Sequence, residues 1–339
     1  MAQKIILDCD PGIDDALAIA FAVGSPDLDL CGITTVSGNV GLDLTTSNAQ
    51  RVCEFTGAAG VPVTPGSPAP LLRPPVDARN VHGDTGLGGA VLPPPESRPA
   101  GGHAIDFLIE TIGAAPGEIT LVATGPLTNI ALAVHREPQL VSQVKDFVIM
   151  GGSSGRGNTT PAAEFNMAVD PEAAAIVFRA GWTVTMVGLD VTLQARATAA
   201  VRDRMRGLGV LASKLLLPGL EHYASDEDPL SARPGAGGNG QAGDALAPIV
   251  ADPAVHDVCA VAYVADHGLL GCLPARVEVE TIGRWTAGMT VTDFRAPVDD
   301  RNALVAMAID VRGFWDRVIG AYENVAAAMN ANARPTAGI

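Results

Sequence analysis

The chain has 339 residues and a formal net charge of −15, with 47% hydrophobic and only 17% charged residues. That is ample apolar chain for one large α/β domain or two smaller ones with an Ala- and Val-rich interior. The acidic balance, with no Lys/Arg cluster, excludes a grip on nucleic-acid phosphates, and no apolar stretch is long enough to span a membrane.

In chain order, short apolar runs rich in β-branched residues alternate with helical patterns. Strands are expected at Lys4–Cys9, Cys31–Val36, Ile119–Ala123, Asp146–Met150 and Thr183–Val187. Helices are expected at Asp15–Val23, Leu42–Phe55, Ala104–Ile112, Leu127–Val134 and Pro171–Arg179. This alternation implies an open, mostly parallel, Rossmann-like sheet with flanking helices. Past residue 270, Ala275–Glu280, Met289–Asp293 and Ala303–Ile309 read as shorter strands, a small C-terminal β extension, before a closing helix at Val311–Met329. No linker divides the chain, so 1–330 reads as a single domain and 331–339 as a tail that frays from Asn330. Pro62–Gly102 and Pro229–Gly243 are dense in Pro and Gly and poor in regular structure, as lids and functional loops often are.

The first strand starts almost at Met1, which leaves no room for a signal peptide. Cys9, Cys31, Cys53, Cys259 and Cys272 are odd in number and scattered among apolar residues, so they read as buried free thiols in a reducing compartment, by default the cytoplasm.

The densest chemical signal is Asp8-Cys9-Asp10-Pro11-Gly12-Ile13-Asp14-Asp15, four carboxylates in eight residues where the first strand turns into the first helix. Such charges repel unless a helix N-terminus and a bound cation neutralise them. Oxygen donors without Cys or His suit Ca²⁺ or Mg²⁺ rather than zinc. The plainer reading makes Asp10 a turn former and Asp14 a helix cap. Each expected strand also ends in small or polar residues: Ser37-Gly38-Asn39, Thr124-Gly125-Pro126, Gly151-Gly152-Ser153 and Gly188-Leu189-Asp190. These also occur at ordinary turns, but together they point to one crevice at the carboxyl ends of a parallel sheet.

Two motif matches fail on context. Gly235-x-Gly237-x-x-Gly240 has the dinucleotide spacing, but no strand precedes it and Pro234 adjoins it. Gly151-x-Ser153-x-Gly155 lacks the following helix of a nucleophile elbow. Asp8-x-Asp10 after a strand also fits an aspartyl phosphatase of the haloacid dehalogenase type, which would use Mg²⁺; Pro11-Gly12 stands where those enzymes usually carry a Gly-Thr pair.

The segment Asp8–Ala16 resembles the N-terminal signature of the inosine–uridine nucleoside hydrolases, with Cys9 in place of their usual Thr. The similarity continues in order through Ser37-Gly38-Asn39, His82–Leu87, Thr124–Asn129, Met150-Gly151-Gly152, Asn158, Glu164-Phe165-Asn166, Asp170–Ala174 and His256-Asp257. It covers essentially the whole chain. The resemblance implies hydrolysis of the N-glycosidic bond of ribonucleosides to base and ribose, a place in nucleoside salvage, and a homodimer or homotetramer. It implies Ca²⁺ held by Asp10, Asp15, the Thr124 carbonyl and Asp257, with a Ca²⁺-bound water deprotonated by Asp10 as general base. By the same resemblance Asn39 orients Asp10, Asp14, Asn158, Glu164 and Asn166 hold the sugar hydroxyls, and Met150 packs beneath the ribose. His256 is the candidate acid for the leaving base, His82 and Phe165 are candidate nucleoside contacts, and Tyr223 is the candidate stacking partner of the base. The Pro229–Gly243 loop is expected to close over the pocket. A non-catalytic Ca²⁺-dependent nucleoside- or ribose-binding protein is the alternative, against which stands the retention of Asp10 and His256 together.

Overall fold

Alternation decides the first element. In Gln3–Cys9 (β1), Ile5, Leu7 and Cys9 face one layer of helices while Ile6 faces the other, and all are fully buried. The same burial on both faces recurs in the second half of Leu28–Thr35 (β2), beside which Val63–Pro65 (β3) forms the edge, and in Ile119–Ala123 (β4), Phe147–Met150 (β5) and Val184–Val187 (β6). The chain ends with Leu270–Val279 (β7), Thr290–Asp293 (β8) and Ala303–Ile309 (β9). A computed structural model of the chain describes residues 2–225 and 252–332. In it the strands form one nine-stranded sheet in the order β3-β2-β1-β4-β5-β6-β9-β7-β8. The sheet is parallel through β9, and β7 runs antiparallel to both β9 and β8.

Two cores cover the two faces. The helices Ile13–Gly24, Asp257–Ala265 and Val311–Asn332 pack on one side around Phe21, Val258, Phe314 and Tyr322. Ala104–Ala114, Thr128–Arg136 and Pro171–Phe178 pack on the other around Leu108, Ile130 and Phe178. The helix Ile13–Gly24 is apolar almost all round because it is sandwiched between sheet and helices and exposes almost nothing.

Several boundaries differ from the pattern-based expectation. β2 begins three residues before Cys31 and β7 five before Ala275, because pairing to a neighbour extends a strand past its apolar run. The last helix continues to Asn332, into the expected tail. Within the Pro/Gly-dense stretch, β3 extends the sheet and Arg79–His82 forms a helical turn. Asp170 helps tie this stretch down, accepting from Leu71 N (2.9 Å), Thr128 Oγ1 (2.6 Å) and Ala173 N (3.1 Å). Helical segments between Leu189 and Ser225 and the helix Asp257–Ala265 were not marked by the pattern at all. Cys9, Cys53 and Cys259 are buried thiols, but Cys31 and Cys272 are only partly buried, since each lies on a stretch of strand that the outer neighbour, β3 or β8, does not reach. Trp182 is core, stacked on Phe147; Trp285 is not in a strand but stands exposed in the turn between β7 and β8. The Pro229–Gly243 loop, with its Gly235–Gly240 motif, lies outside the described residues. Among the described residues no helix is long and apolar enough to cross a membrane.

Candidate active site

β1 is flanked by β2 on one side and β4 on the other, and the strand order reverses there. Such a switch point opens a crevice at the carboxyl ends of the strands. The acidic segment leaves β1 at that point. Asp8 is still in the strand, and the two-residue period turns it away from Cys9 toward Thr34 Oγ1 (2.5 Å) and Asn129 Nδ2 (2.8 Å). Burial pushes its carboxyl up to about 7.

Asp10 sits just past the strand. Its Oδ2 accepts from the Asn39 amide (2.6 Å), while Asn39 Nδ2 donates to the Asp10 carbonyl and to Asp15 Oδ2 (both 3.1 Å). A Cβ on Gly38 would stand 2.0 Å from Asp10 Oδ2, and one on Gly125 would stand 2.7 Å from Oδ1. Both loops therefore close on this carboxylate only because they carry glycine there. Among the described residues Oδ1, itself buried, has no hydrogen-bond partner.

The helix cap is Asp15, not the Asp14 of the plainer reading. Asp15 accepts from the Gly12 amide (2.9 Å), and its other oxygen accepts from Thr124 Oγ1 (2.9 Å). Asp14 is not the cap. Its carboxylate turns toward His256 and Asp257. Asp257, in the first turn of its own helix, completes a group in which ligand oxygens of Asp14, Asp15 and Asp257 all lie within 4.8 Å of one another. Asp10 stands beside this group and couples to it electrostatically.

Burial raises all four carboxyls, and like charge adds to it at Asp10, Asp14 and Asp257. Asp14 is pushed up to about 7, first by burial and then by Asp15; Asp10 and Asp257 are pushed well above the usual range, again by burial first and like charges second. Four buried, clustered carboxylates, three of them raised by their neighbours' charge, with an oxygen unpartnered among the described residues and oxygen donors throughout, fit a hard divalent cation. Asn166 Nδ2 donates to the Thr124 carbonyl (2.7 Å), which uses one of that oxygen's two lone pairs and leaves the other.

One wall of the crevice comes from the loop after β5. Glu164 caps Phe165–Val169, accepting from Asn166 N (2.9 Å), Met167 N (3.2 Å) and Gly152 N (3.0 Å). Asn158 Oδ1 accepts from Phe165 N (3.0 Å), and Asn166 also donates to the Met150 carbonyl (3.1 Å). No helix follows Ser153 until Phe165, so there is no nucleophile elbow. The opposite wall is aromatic: Tyr223 lies 5.5 Å from the His82 ring and 6.4 Å, edge-on, from His256.

Between the walls is a cavity of about 330 Å³. All ten residues expected at the substrate line it, as do Thr124 and Asp257, while Asp10 and Asp15 lie beneath its floor. Asn80, Arg156, Thr159 and Leu193 also line it and were not singled out from the sequence. Asn80 had a signal, standing two residues before His82 in the same turn; Arg156, between two glycines, had none.

His82 has a fixed tautomer. The Ile13 amide donates to Nδ1 (3.0 Å), so the proton of the neutral ring is on Nε2. Burial, then the neighbouring His256 and His222, lowers its pKa to about 3. The folded value lies below the unfolded one near 6.5, so the unfolded chain binds the proton first, and stability is lost as pH falls from about 6.5 toward 3. His82→Gln keeps an acceptor for Ile13 but cannot titrate. Urea unfolding at pH 7 and pH 5 should show the wild type losing about 2 kcal/mol more than this variant over that interval. Equal losses would assign the acid sensitivity to other groups.

The chain is similar along nearly its whole length to known proteins. A family model described as inosine-uridine preferring nucleoside hydrolase matches residues 5–316. The chain is 44% identical over 328 residues to the inosine-uridine preferring nucleoside hydrolase of Leishmania major, covering 96% of this chain and 99% of that protein. It is 40% identical over 321 residues to the pyrimidine-specific ribonucleoside hydrolase RihA of Salmonella arizonae, covering 93% and 97%. Among solved structures, the purine-preferring ribonucleoside hydrolase from Gardnerella vaginalis superposes with a TM-score of 0.86 at 32% identity, covering 96% of this chain and all of that one (100%).

Proposed function

The chain belongs to the inosine-uridine preferring nucleoside hydrolase family, hydrolases of the N-glycosidic bond of ribonucleosides, and from that premise we propose which of its residues carry the reaction. Neither the aspartyl phosphatase nor the non-catalytic binding protein finds support among these relatives.

Asp10 is the general base. The observation that carries this is its buried, unpartnered Oδ1 beside the Asp14, Asp15 and Asp257 group at the floor of the cavity. Asp10, Asp15, the Thr124 carbonyl and Asp257 would hold the cation, and their all-oxygen donor set favours Ca²⁺. It would supply Lewis-acid activation of a water and positive charge beside the sugar hydroxyls. Asp10 takes the water proton; the water oxygen bonds to the anomeric carbon as the C–N bond breaks and its electron pair leaves with the base. Asn39 keeps Asp10 aimed through two hydrogen bonds.

Asp14, Asn158, Glu164 and Asn166 hold the sugar hydroxyls, with Met150 beneath the ring and Phe165 beside it. Their carboxylate and amide oxygens stabilise the positive charge that builds on the sugar, and no covalent enzyme intermediate is needed. The His82, Tyr223 and His256 wall receives the base, with Tyr223 stacking on it. Reduced cysteines and an acidic surface support a cytoplasmic setting, and exposed Ile282 and Trp285 support self-association as a homodimer or homotetramer.

The test is release of reducing sugar from a panel of common ribonucleosides in phosphate-free buffer, with p-nitrophenyl phosphate and Mg²⁺ alongside. Ribose from at least one nucleoside and an intact phosphate ester are expected. If no nucleoside is cleaved, the reading fails.

A further inference from the structure

We propose that Thr192 is a positioning residue: its hydroxyl donates to His256 Nδ1 and so makes Nε2–H the group that His256 presents to the departing base. This rests on the reading above that His256 lies at the base end of the cavity. It adds a residue that neither the acidic motif nor the cavity wall contains.

Thr192 is fully buried, and its Oγ1 lies 2.8 Å from His256 Nδ1 across 64 residues of sequence. Two separate devices hold the partners in register. Thr192 ends the short helix Leu189–Thr192, which is hung from the site by the Leu189 amide on the Gly152 carbonyl (2.9 Å) and closed by the Thr192 amide on the Gly188 carbonyl (3.1 Å). The next residues then pair antiparallel with the segment that delivers His256. Val255 N donates to Ala195 O (3.1 Å), Ala197 N donates to Pro253 O (2.8 Å), and Arg196 bridges Ala254 between them. Backbone and side chain of this histidine are thus both fixed, the one by the pairing on either side of Ala254 and the other by Thr192.

An imidazole has two nitrogens, and the one engaged by a neighbour decides what the other offers. With Nδ1 accepting from a hydroxyl, the ring proton is on Nε2. His256 lines the cavity, so Nε2–H is the polar group it can turn toward the base. As the C–N bond breaks, its electron pair moves into the base, and a donor aimed at that charge lowers the barrier. The base takes its proton from water after leaving, so the ring gives up none.

Thr192→Val keeps the shape and removes the hydroxyl; Thr192→Ser keeps the hydroxyl. Each is compared with His256→Ala on inosine or uridine and on 4-nitrophenyl β-D-ribofuranoside, whose phenolate leaves without help from a donor. For Thr192→Val we expect kcat on nucleosides to fall at least about tenfold. KM, and turnover of the nitrophenyl riboside, should stay within about twofold of wild type, and Thr192→Ser should recover most of the loss. His256→Ala should show the same selective pattern more strongly. If His256→Ala is selective and Thr192→Val is not, Thr192 does not set the histidine and the proposal falls while the reading of His256 stands. If Thr192→Val slows both substrates equally, or Thr192→Ser fails to restore activity, Thr192 is only structural and the proposal is overturned. If His256→Ala spares nucleosides, the reading of His256 fails and takes the proposal with it.

Discussion

Asp10→Asn should lower turnover of ribonucleosides by a factor on the order of 10² or more while leaving much of the substrate binding intact. The substitution is isosteric. An asparagine oxygen can still accept from the Asn39 amide, but the amide nitrogen that replaces Oδ1 cannot take a proton from water. The same change should raise the thermal stability of the cation-free protein. Asp10 is pushed up by burial and by the charge of Asp15, so removing its charge relieves a cost that the folded state carries. Lower activity with higher cation-free stability separates loss of a base from general damage, which lowers both. Turnover like that of wild type would remove Asp10 from the mechanism.

Stripping divalent cations with a chelator should abolish most turnover, by on the order of 10² or more, since several kcal/mol of the barrier reduction depends on the ion. A cation that binds only the folded state adds about 2.7 kcal/mol at a concentration ~100 times its Kd. Melting should therefore shift upward by several degrees when the ion is returned. Ca²⁺ is expected to restore both properties at lower concentration than Mg²⁺, because the donor set is large and carboxylate-rich. Asp257→Asn should raise the Ca²⁺ concentration needed for the melting shift. Chelated protein that keeps its turnover and its melting temperature would show that the carboxylate group holds no functional ion.

The acidic motif was legible because its chemistry is local. A strand, a Pro-Gly turn and a helix start are neighbours in sequence, so Asp10, Asp14 and Asp15 must be near one another in any fold that forms them. The strand-end residues were legible for a related reason: parallel strands bring their carboxyl ends to one edge, so Asn39, Thr124 and Met150 share a crevice once the alternation of strands and helices is read. Asp14 was harder. The sequence left it open between a helix cap and a sugar ligand; Gly12 gives its amide to Asp15 instead, and that choice depends on Thr124 and Asn39 being packed against Asp15.

By itself, then, the sequence determined the parallel α/β sheet, the place of the site at its strand ends, and the oxygen-rich character of that site, because periodicity and turn chemistry act between near neighbours. Tertiary structure alone decided how closely Asp257 approaches Asp14 and Asp15, that Gly38 and Gly125 close on Asp10, that Asn80 and Arg156 reach the cavity, and that Thr192 meets His256. Those contacts join segments far apart in the chain. Their distances, and the burial that raises the carboxyls, are set by how helices and loops pack over the sheet, and no local pattern records that packing.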